Sequence, residues 1–191
     1  MIDKNEQQNI IVISGPSGVG KDTLMETIEK KYPEKIHIVI TATTRKPRSN
    51  EENGVNHFFV DKDKFNQMIN NDELIEWAKV YENLYGVPKS EITNNISKNI
   101  KVLIRVDVQG ARRLKEILKY SVFIFISPES KEDLNKRLIL RHENSESDIE
   151  KRLMEVEAEI VESEWFDFIV INYPGQAEKA VLELSDIIGL N

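Results

Sequence analysis

Ile10-Ile-Val-Ile13, then Ser14, then Gly15-Pro-Ser-Gly-Val-Gly-Lys21, is the stretch that decides the fold. Its first four residues are all apolar and β-branched. That fits a short strand covered on both faces, as in a parallel sheet. The next seven carry the spacing G-x-x-x-x-G-K. Glycines let the backbone curl and turn its N–H groups inward, and the following helix adds the positive end of its dipole. Such a loop, Gly15, Pro16, Ser17, Gly18, Val19, Gly20 and Lys21, cradles phosphate, with Lys21 placed to reach the β- and γ-phosphates of a nucleotide. The Ser or Thr that usually touches Mg2+ is Asp22 here, and Thr23 follows with a hydroxyl. A carboxylate holds Mg2+ directly or through water, but it brings negative charge near the phosphates.

Outward from this loop, the pattern predicts a helix from Thr23 to Lys31, stopped before Pro33, and a strand from Ile36 to Thr41. Thr43 to Asn56 is polar and reads as loop. His57 to Val60 reads as a strand, and Asp61 caps a helix carrying Phe65, Met68 and Ile69 at helical spacing. Leu74 to Tyr81 predicts a strand, Asn83 to Gly86 a turn, and Lys89 to Asn99 a helix. Strands follow at Lys101 to Val108, Val122 to Ile126 and Phe168 to Ile171. Helices are expected at Gln109 to Leu118, from Ser130 to about Arg141, at Asp148 to Ser163 and at Gln176 to Ile188. Alternation of this kind implies an α/β fold with a parallel sheet and right-handed crossovers. Residues 42–88 read as a small mixed α/β insertion.

Composition narrows the function. The 191 residues suit one domain with room for insertions. The absence of cysteine excludes disulfides and thiolate metal sites. A net charge of −7 argues against a general nucleic-acid binder. Met1 to Asn9 lacks a signal-peptide pattern, and no apolar run approaches the roughly 18 residues of a membrane span. A cytoplasmic compartment and no membrane partner are the expectations.

Further motifs carry chemistry. Arg45 and Arg48, in Thr41-Ala-Thr-Thr-Arg45-Lys-Pro-Arg48, suit bidentate capture of a phosphate or carboxylate, or form a solvated basic loop. Glu76 stands between apolar residues on a strand. Alternation would send it to solvent, whereas a buried carboxylate would need donors such as the N–H groups of a base. Asp107, after a strand, lies where α/β sheets place ligands, or serves as a helix N-cap. Arg137 and Arg141, with Arg152 beyond a polar segment, could clamp a transferring phosphate or line a solvated helix face.

The ordered set resembles guanylate kinase, from about residue 10 to 188. It comprises G-P-S-G-V-G-K, T-T-R-K-P-R, E-x-x-G-V, F-F-V, I-E-W-A, N-x-Y-G, V-D-V-Q-G-A and K-R-L-x-x-R. The resemblance implies transfer of the γ-phosphate of ATP to GMP, and to dGMP, with Mg2+, by in-line phosphoryl transfer with lid closure. It implies a three-layer P-loop core (residues 1–41, 89–135 and 160–191), a GMP-binding insertion (42–88) and a small helical lid (136–159). On the donor side it implies the loop Gly15 to Lys21 with Asp22 and Thr23, Asn172 near the adenine, and Asp22 toward Mg2+. On the acceptor side it implies Arg45, Arg48 and Tyr85 at the GMP phosphate, Glu76 at guanine N1–H and the 2-amino group, and Thr41 near O6. Glu51, His57 and Asp107 match further substrate positions. Lys21, Arg45, Arg137, Arg141 and Arg152 are the implied catalytic cations.

Departures from the family pattern are Asp22, His57 in place of a Tyr, Val87 in place of a Ser or Thr, and Arg105 in place of the first acid of D-x-D. They leave two alternatives: a related P-loop kinase for another nucleoside monophosphate or a phosphorylated ribose, and a non-catalytic binding module of the same fold. A monomer or homodimer is expected.

Overall fold

A computed structural model describes residues 2–80, 82–134 and 158–191. A capped turn of helix, α1 (Lys4–Gln7), leads into β1 (Ile10–Ser14), and α2 (Lys21–Lys31) follows the glycine-rich loop. β2 (Ile36–Ile38), β3 (Ala42–Thr43) and β4 (Phe58–Phe59) precede α3 (Lys62–Asn70). β5 (Leu74–Val80) and β6 (Asn83–Pro88) form a hairpin before α4 (Lys89–Ile96). β7 (Lys101–Arg105), α5 (Val108–Ile117), β8 (Val122–Pro128), β9 (Phe168–Asn172) and α6 (Ala177–Ile188) complete the named elements. A 3-10 turn at Glu162–Trp165 precedes β9. Among the described residues no helix is long and apolar enough to cross a membrane.

The central sheet has the order β2-β7-β1-β8-β9, and its neighbours pair parallel. The apolar run of β1 has a direct cause. Ile11 and Ile13 pack into a core layer with α2 and α6, while Ile10 and Val12 pack into the opposite layer with α4 and α5. Both faces are covered along Ile10 to Ile13, which is why the run is apolar throughout. The result is a three-layer α/β core.

The second sheet, β4-β3-β6-β5, encloses a smaller core of Ala42, Phe65, Met68 and Leu74. Here β3 pairs antiparallel with β6 and parallel with β4. Asp61 caps α3 by accepting from the Lys64 N–H at 2.7 Å, and Ser130 Oγ accepts from the Asp133 N–H at 3.1 Å, both as expected of these residues.

Two expectations need correction. Asn83 to Gly86 is strand, not turn: it lies within β6, and Gly86 pairs with Trp77. A side chain at Gly86 would meet Leu74 and Phe65 at 3.0 Å or less, so this glycine serves close packing. Glu76 does not face solvent. The alternation of β5 instead sends Trp77 outward, 45% exposed, and keeps Glu76 inside at 8%. The expected helix to Arg141, the polar break at His142 to Ser147 and most of the helix from Asp148 lie outside the described residues. The end of the last is seen as helix at residues 158–161.

Candidate active site

The glycine-rich loop joins β1 to α2. Gly15 has φ +140°, and a Cβ there would stand 2.2 Å from the Ile126 carbonyl oxygen, so only glycine fits. Gly20 takes a left-handed conformation as the N-cap of α2. Val19 is fully buried and anchors the loop in the core. Asn172, itself buried at the end of β9, donates from Nδ2 to the Val19 carbonyl at 2.7 Å. The loop is thus pinned from behind while its outer side faces the cavity. Lys21 Nζ donates to the carbonyls of Gly15 at 2.5 Å and Pro16 at 3.0 Å, which curls the loop around the ammonium. Desolvation holds the Lys21 ammonium below its ordinary pKa; Asp22 and Glu159 oppose this.

A cavity of about 400 Å3 lies between the two sheets. Gly15, Ser17 and Lys21 of the glycine-rich loop line it together with Thr41, Glu76 and Val87. Its position at the C-terminal ends of β1 and β7 is the usual ligand position of an open parallel sheet. Glu76 is the buried carboxylate of this cavity, and Arg113 Nε, from α5, donates to its Oε1 at 2.7 Å. Burial pushes the Glu76 carboxyl above its ordinary value, and Arg113 opposes that. Thr41 Oγ1 lies 2.8 Å from His57 Nδ1. Burial, with the charges of Arg105 and Arg45, holds His57 down at about 4, so the ring is neutral at physiological pH. Val87 is almost fully buried and presents an apolar wall.

The basic loop is tightly organised. Glu51 accepts from Arg45 Nη2 at 2.8 Å through Oε1 and from Arg45 Nη1 at 2.7 Å through Oε2. The Arg48 N–H adds a third bond to Oε2 at 2.8 Å. These donors hold the Glu51 carboxyl down at about 2, and the same fork raises the Arg45 guanidinium. Arg45 also stacks over Phe59 at 5.5 Å. The Arg48 side chain is exposed.

Two departures from the expected pattern meet in space. Arg105 Nη1 lies 2.9 Å from Asp22 Oδ1. The carboxylate that stands beside the phosphate loop is balanced by the cation that replaced an acid at the end of β7. Asp107 caps α5, accepting from the Gly110 N–H at 2.6 Å, and also lines the cavity. Both readings of Asp107 therefore describe it.

Among the described residues no group of three or more His, Asp or Glu side chains could hold a metal. Mg2+ in nucleotide sites keeps several waters and uses one or two carboxylates plus substrate phosphates. Asp22 beside the loop, its side chain 61% exposed, fits that donor set.

The structure brings Lys21, Thr41, His57, Glu76, Tyr85 and Asp107 onto one cavity. Arg45, Arg48 and Glu51 are not among the residues that line it. Arg137, Arg141 and Arg152 lie outside the described residues. Arg113 is the residue that sequence reasoning did not find. Its signal is faint: a helix basic residue reads as solvated surface unless its partner across the chain is known.

Comparisons with known proteins agree with this geometry. The guanylate kinase family profile matches residues 7–190. A guanylate kinase of Syntrophomonas wolfei is 40% identical over 184 residues, 96% of this chain and 93% of that one. A guanylate kinase of a Wolbachia of Brugia malayi is 41% identical over 180 residues, 94% of this chain and 91% of that one. The crystal structure of guanylate kinase from Anaplasma phagocytophilum superposes with a TM-score of 0.73 at 31% identity. That match covers 95% of this chain and 84% of that one.

Proposed function

The chain belongs to the guanylate kinase family, and from that premise we propose how its residues carry out the ATP-dependent phosphorylation of GMP to GDP. The observation that carries the reading is one cavity lined both by the glycine-rich loop and by a buried carboxylate, Glu76. A carboxylate in its ionised form accepts two donors in a plane. Guanine offers such a pair in N1–H and the 2-amino group.

The backbone N–H groups of Gly15 to Lys21, with Lys21 and Thr23, bind the donor phosphates. Asn172 supports the loop from the adenine side. Thr41 reaches toward O6 of the base. Arg45, Arg48, Tyr85 and neutral His57 hold the acceptor phosphate, and Glu51 fixes the fork of Arg45. Asp107 closes the floor between base and phosphates. The acceptor phosphate oxygen attacks the γ-phosphorus in line as the bond to the β-phosphate oxygen breaks, so no enzyme nucleophile is required. What the chain supplies is alignment, neutralising charge and exclusion of water. Mg2+, held with the phosphates and by Asp22, would neutralise the developing charge. Arg137, Arg141 and Arg152, in a lid at residues 136–159, close over the donor. Residues 42–88 form the acceptor-binding insertion, on a core of residues 1–41, 89–135 and 160–191. dGMP presents the same base edge and the same phosphate, and is accepted as well. The compartment is cytoplasmic, and the protein works as a monomer or homodimer.

Glu76→Gln tests the reading. The Gln amide offers one acceptor where guanine needs two. KM for GMP should rise about tenfold or more, with KM for ATP unchanged. A variant that keeps the full affinity for GMP would remove Glu76 from the base.

A further inference from the structure

Glu76 is the one ionisable side chain among the buried residues described. Its neighbours are unusual for an acid. Ala78 and Val80 line the cavity beside it on β5, and Val87 lies across the hairpin. An unpaired ion in such surroundings costs several kcal/mol and would neutralise itself by taking up a proton. The partner that prevents this is Arg113. It reaches across from α5, on the central sheet, to β5, in the second sheet. Its side chain is 40% exposed, so the guanidinium is partly hydrated while Nε meets the buried oxygen. An arginine does not lose its proton in proteins, which makes this charge permanent.

The protonation state of Glu76 decides what base it can read. Ionised, it is an acceptor only and suits an edge with two donors. Protonated, it donates one bond and suits an edge with an acceptor. Guanine presents donors at N1 and at the C2 amino group. Adenine presents an acceptor at N1 and no donor at C2. A carboxylate that drifted to its neutral form would lose one contact to guanine and gain one to adenine. The groups around Glu76 pull in opposite directions. Burial and Asp107, at the N-terminus of α5, favour the neutral form, and Arg113 favours the ion. The other charged or titratable groups that line the cavity are Lys21, His57, Tyr85, Arg105 and Glu159.

We propose that Arg113 is the specificity-determining positioning residue of this site: it holds Glu76 as an acceptor-only carboxylate, so that a purine with donors at N1 and C2 is taken and one with an acceptor at N1 is refused. Oε1 is engaged by Arg113, and among the described residues no donor is bonded to Oε2. A carboxylate oxygen has lone pairs for two bonds, so Oε1 serves Arg113 and the base together. The inference rests on Glu76 being the group that meets the base.

The test compares the full chain with Arg113→Met and Arg113→Lys. Steady-state kcat/KM for GMP and for AMP is measured with Mg-ATP from about pH 6 to about pH 9. Calorimetric binding of each monophosphate, and the thermal midpoint, are measured alongside. Arg113→Met should lower the GMP-over-AMP preference about tenfold or more, chiefly through KM for GMP. The loss should be greatest at the acid end and recover as pH rises, because the unpaired carboxyl ionises only there. Arg113→Lys, which keeps the charge, should restore most of the preference. If Arg113→Met does not fold, Arg113→Gln carries the same expectation. A preference and pH profile equal to wild type, with only a lower thermal midpoint, overturn the inference and leave Arg113 as a structural tie. Wild-type protein that binds no GMP in the calorimeter overturns the base reading of Glu76, and the inference with it.

Discussion

Replacing Glu51 by Gln should uncouple Arg45 and Arg48, the two arginines proposed for the acceptor phosphate. Glu51 gathers the two-pronged fork of Arg45 and the Arg48 N–H on one carboxylate, whose side chain is only 12% exposed. Its carboxyl is held down from 4.5 to about 2. At about 1.4 kcal/mol per tenfold change, that depression corresponds to about 3 kcal/mol. The loop lies at the surface and Arg48 is exposed, so solvent screening reduces this to about 1.5–2 kcal/mol. A Gln at this position keeps the shape, loses the charge and turns an amide N–H2 toward a guanidinium. Arg45 is then free to leave its phosphate-ready rotamer. KM for GMP should rise about 10- to 30-fold at saturating ATP and neutral pH. The kcat should change little, because bound GMP reorders the loop. The sign of the pH dependence follows from the depressed carboxyl. Its stabilisation is complete above about pH 4.5 and is lost as pH falls through about 2. The stability gap between wild type and Glu51→Gln, read by urea unfolding, should therefore be constant at neutral pH and shrink only below about pH 4.5. An unchanged KM, or a fall in kcat alone, would refute the reasoning.

Three further outcomes follow from the same geometry. Arg105→Ala leaves Asp22 uncompensated beside the phosphates and should raise KM for ATP about tenfold, and Asp22→Ser in that background should recover most of it; a double variant no better than the single one contradicts the pairing. His57 is held down at about 4, so His57→Gln should leave the shape of the KM profile for GMP between about pH 5.5 and about pH 8 unchanged, and a limb near 6.5 that this variant removes would contradict its neutral state. The same depressed value means that the unfolded chain takes up this proton first, so the folded state loses stability as pH falls from about 6.5 toward 4. Asn172→Ala removes the buried bond to the Val19 carbonyl and should cost about 1–2 kcal/mol in unfolding, raising KM for ATP while leaving KM for GMP alone.

Much of the fold was legible because the central strands are buried on both faces. Ile10 to Ile13 and Val122 to Ile126 can be nothing but apolar, and such runs stand out. The glycine-rich loop was legible because Gly15 has no substitute under Ile126. The second sheet was harder. Its strands β3 and β4 are two residues each and rely on pairing partners, which local sequence does not carry. Asn83 to Gly86 has turn composition, yet pairing with β5 and packing of Gly86 against Leu74 override it. The burial of Glu76 was not legible from alternation, which sends an acid on a strand outward; only the resemblance pointed it inward. The partner that makes its burial affordable, Arg113, is 37 residues away in sequence. The Asp22–Arg105 pair shows the same limit: each looked like a separate departure until the chain ends of β1 and β7 put them together.

The most direct measurement of the central claim is ADP formation by the purified chain with Mg-ATP and, separately, GMP, dGMP, AMP, UMP, CMP and a ribose phosphate. The account predicts rapid ADP formation with GMP, slower or comparable formation with dGMP, and only background with the rest. Turnover on another acceptor but not on GMP, or transfer to none of them, would contradict it.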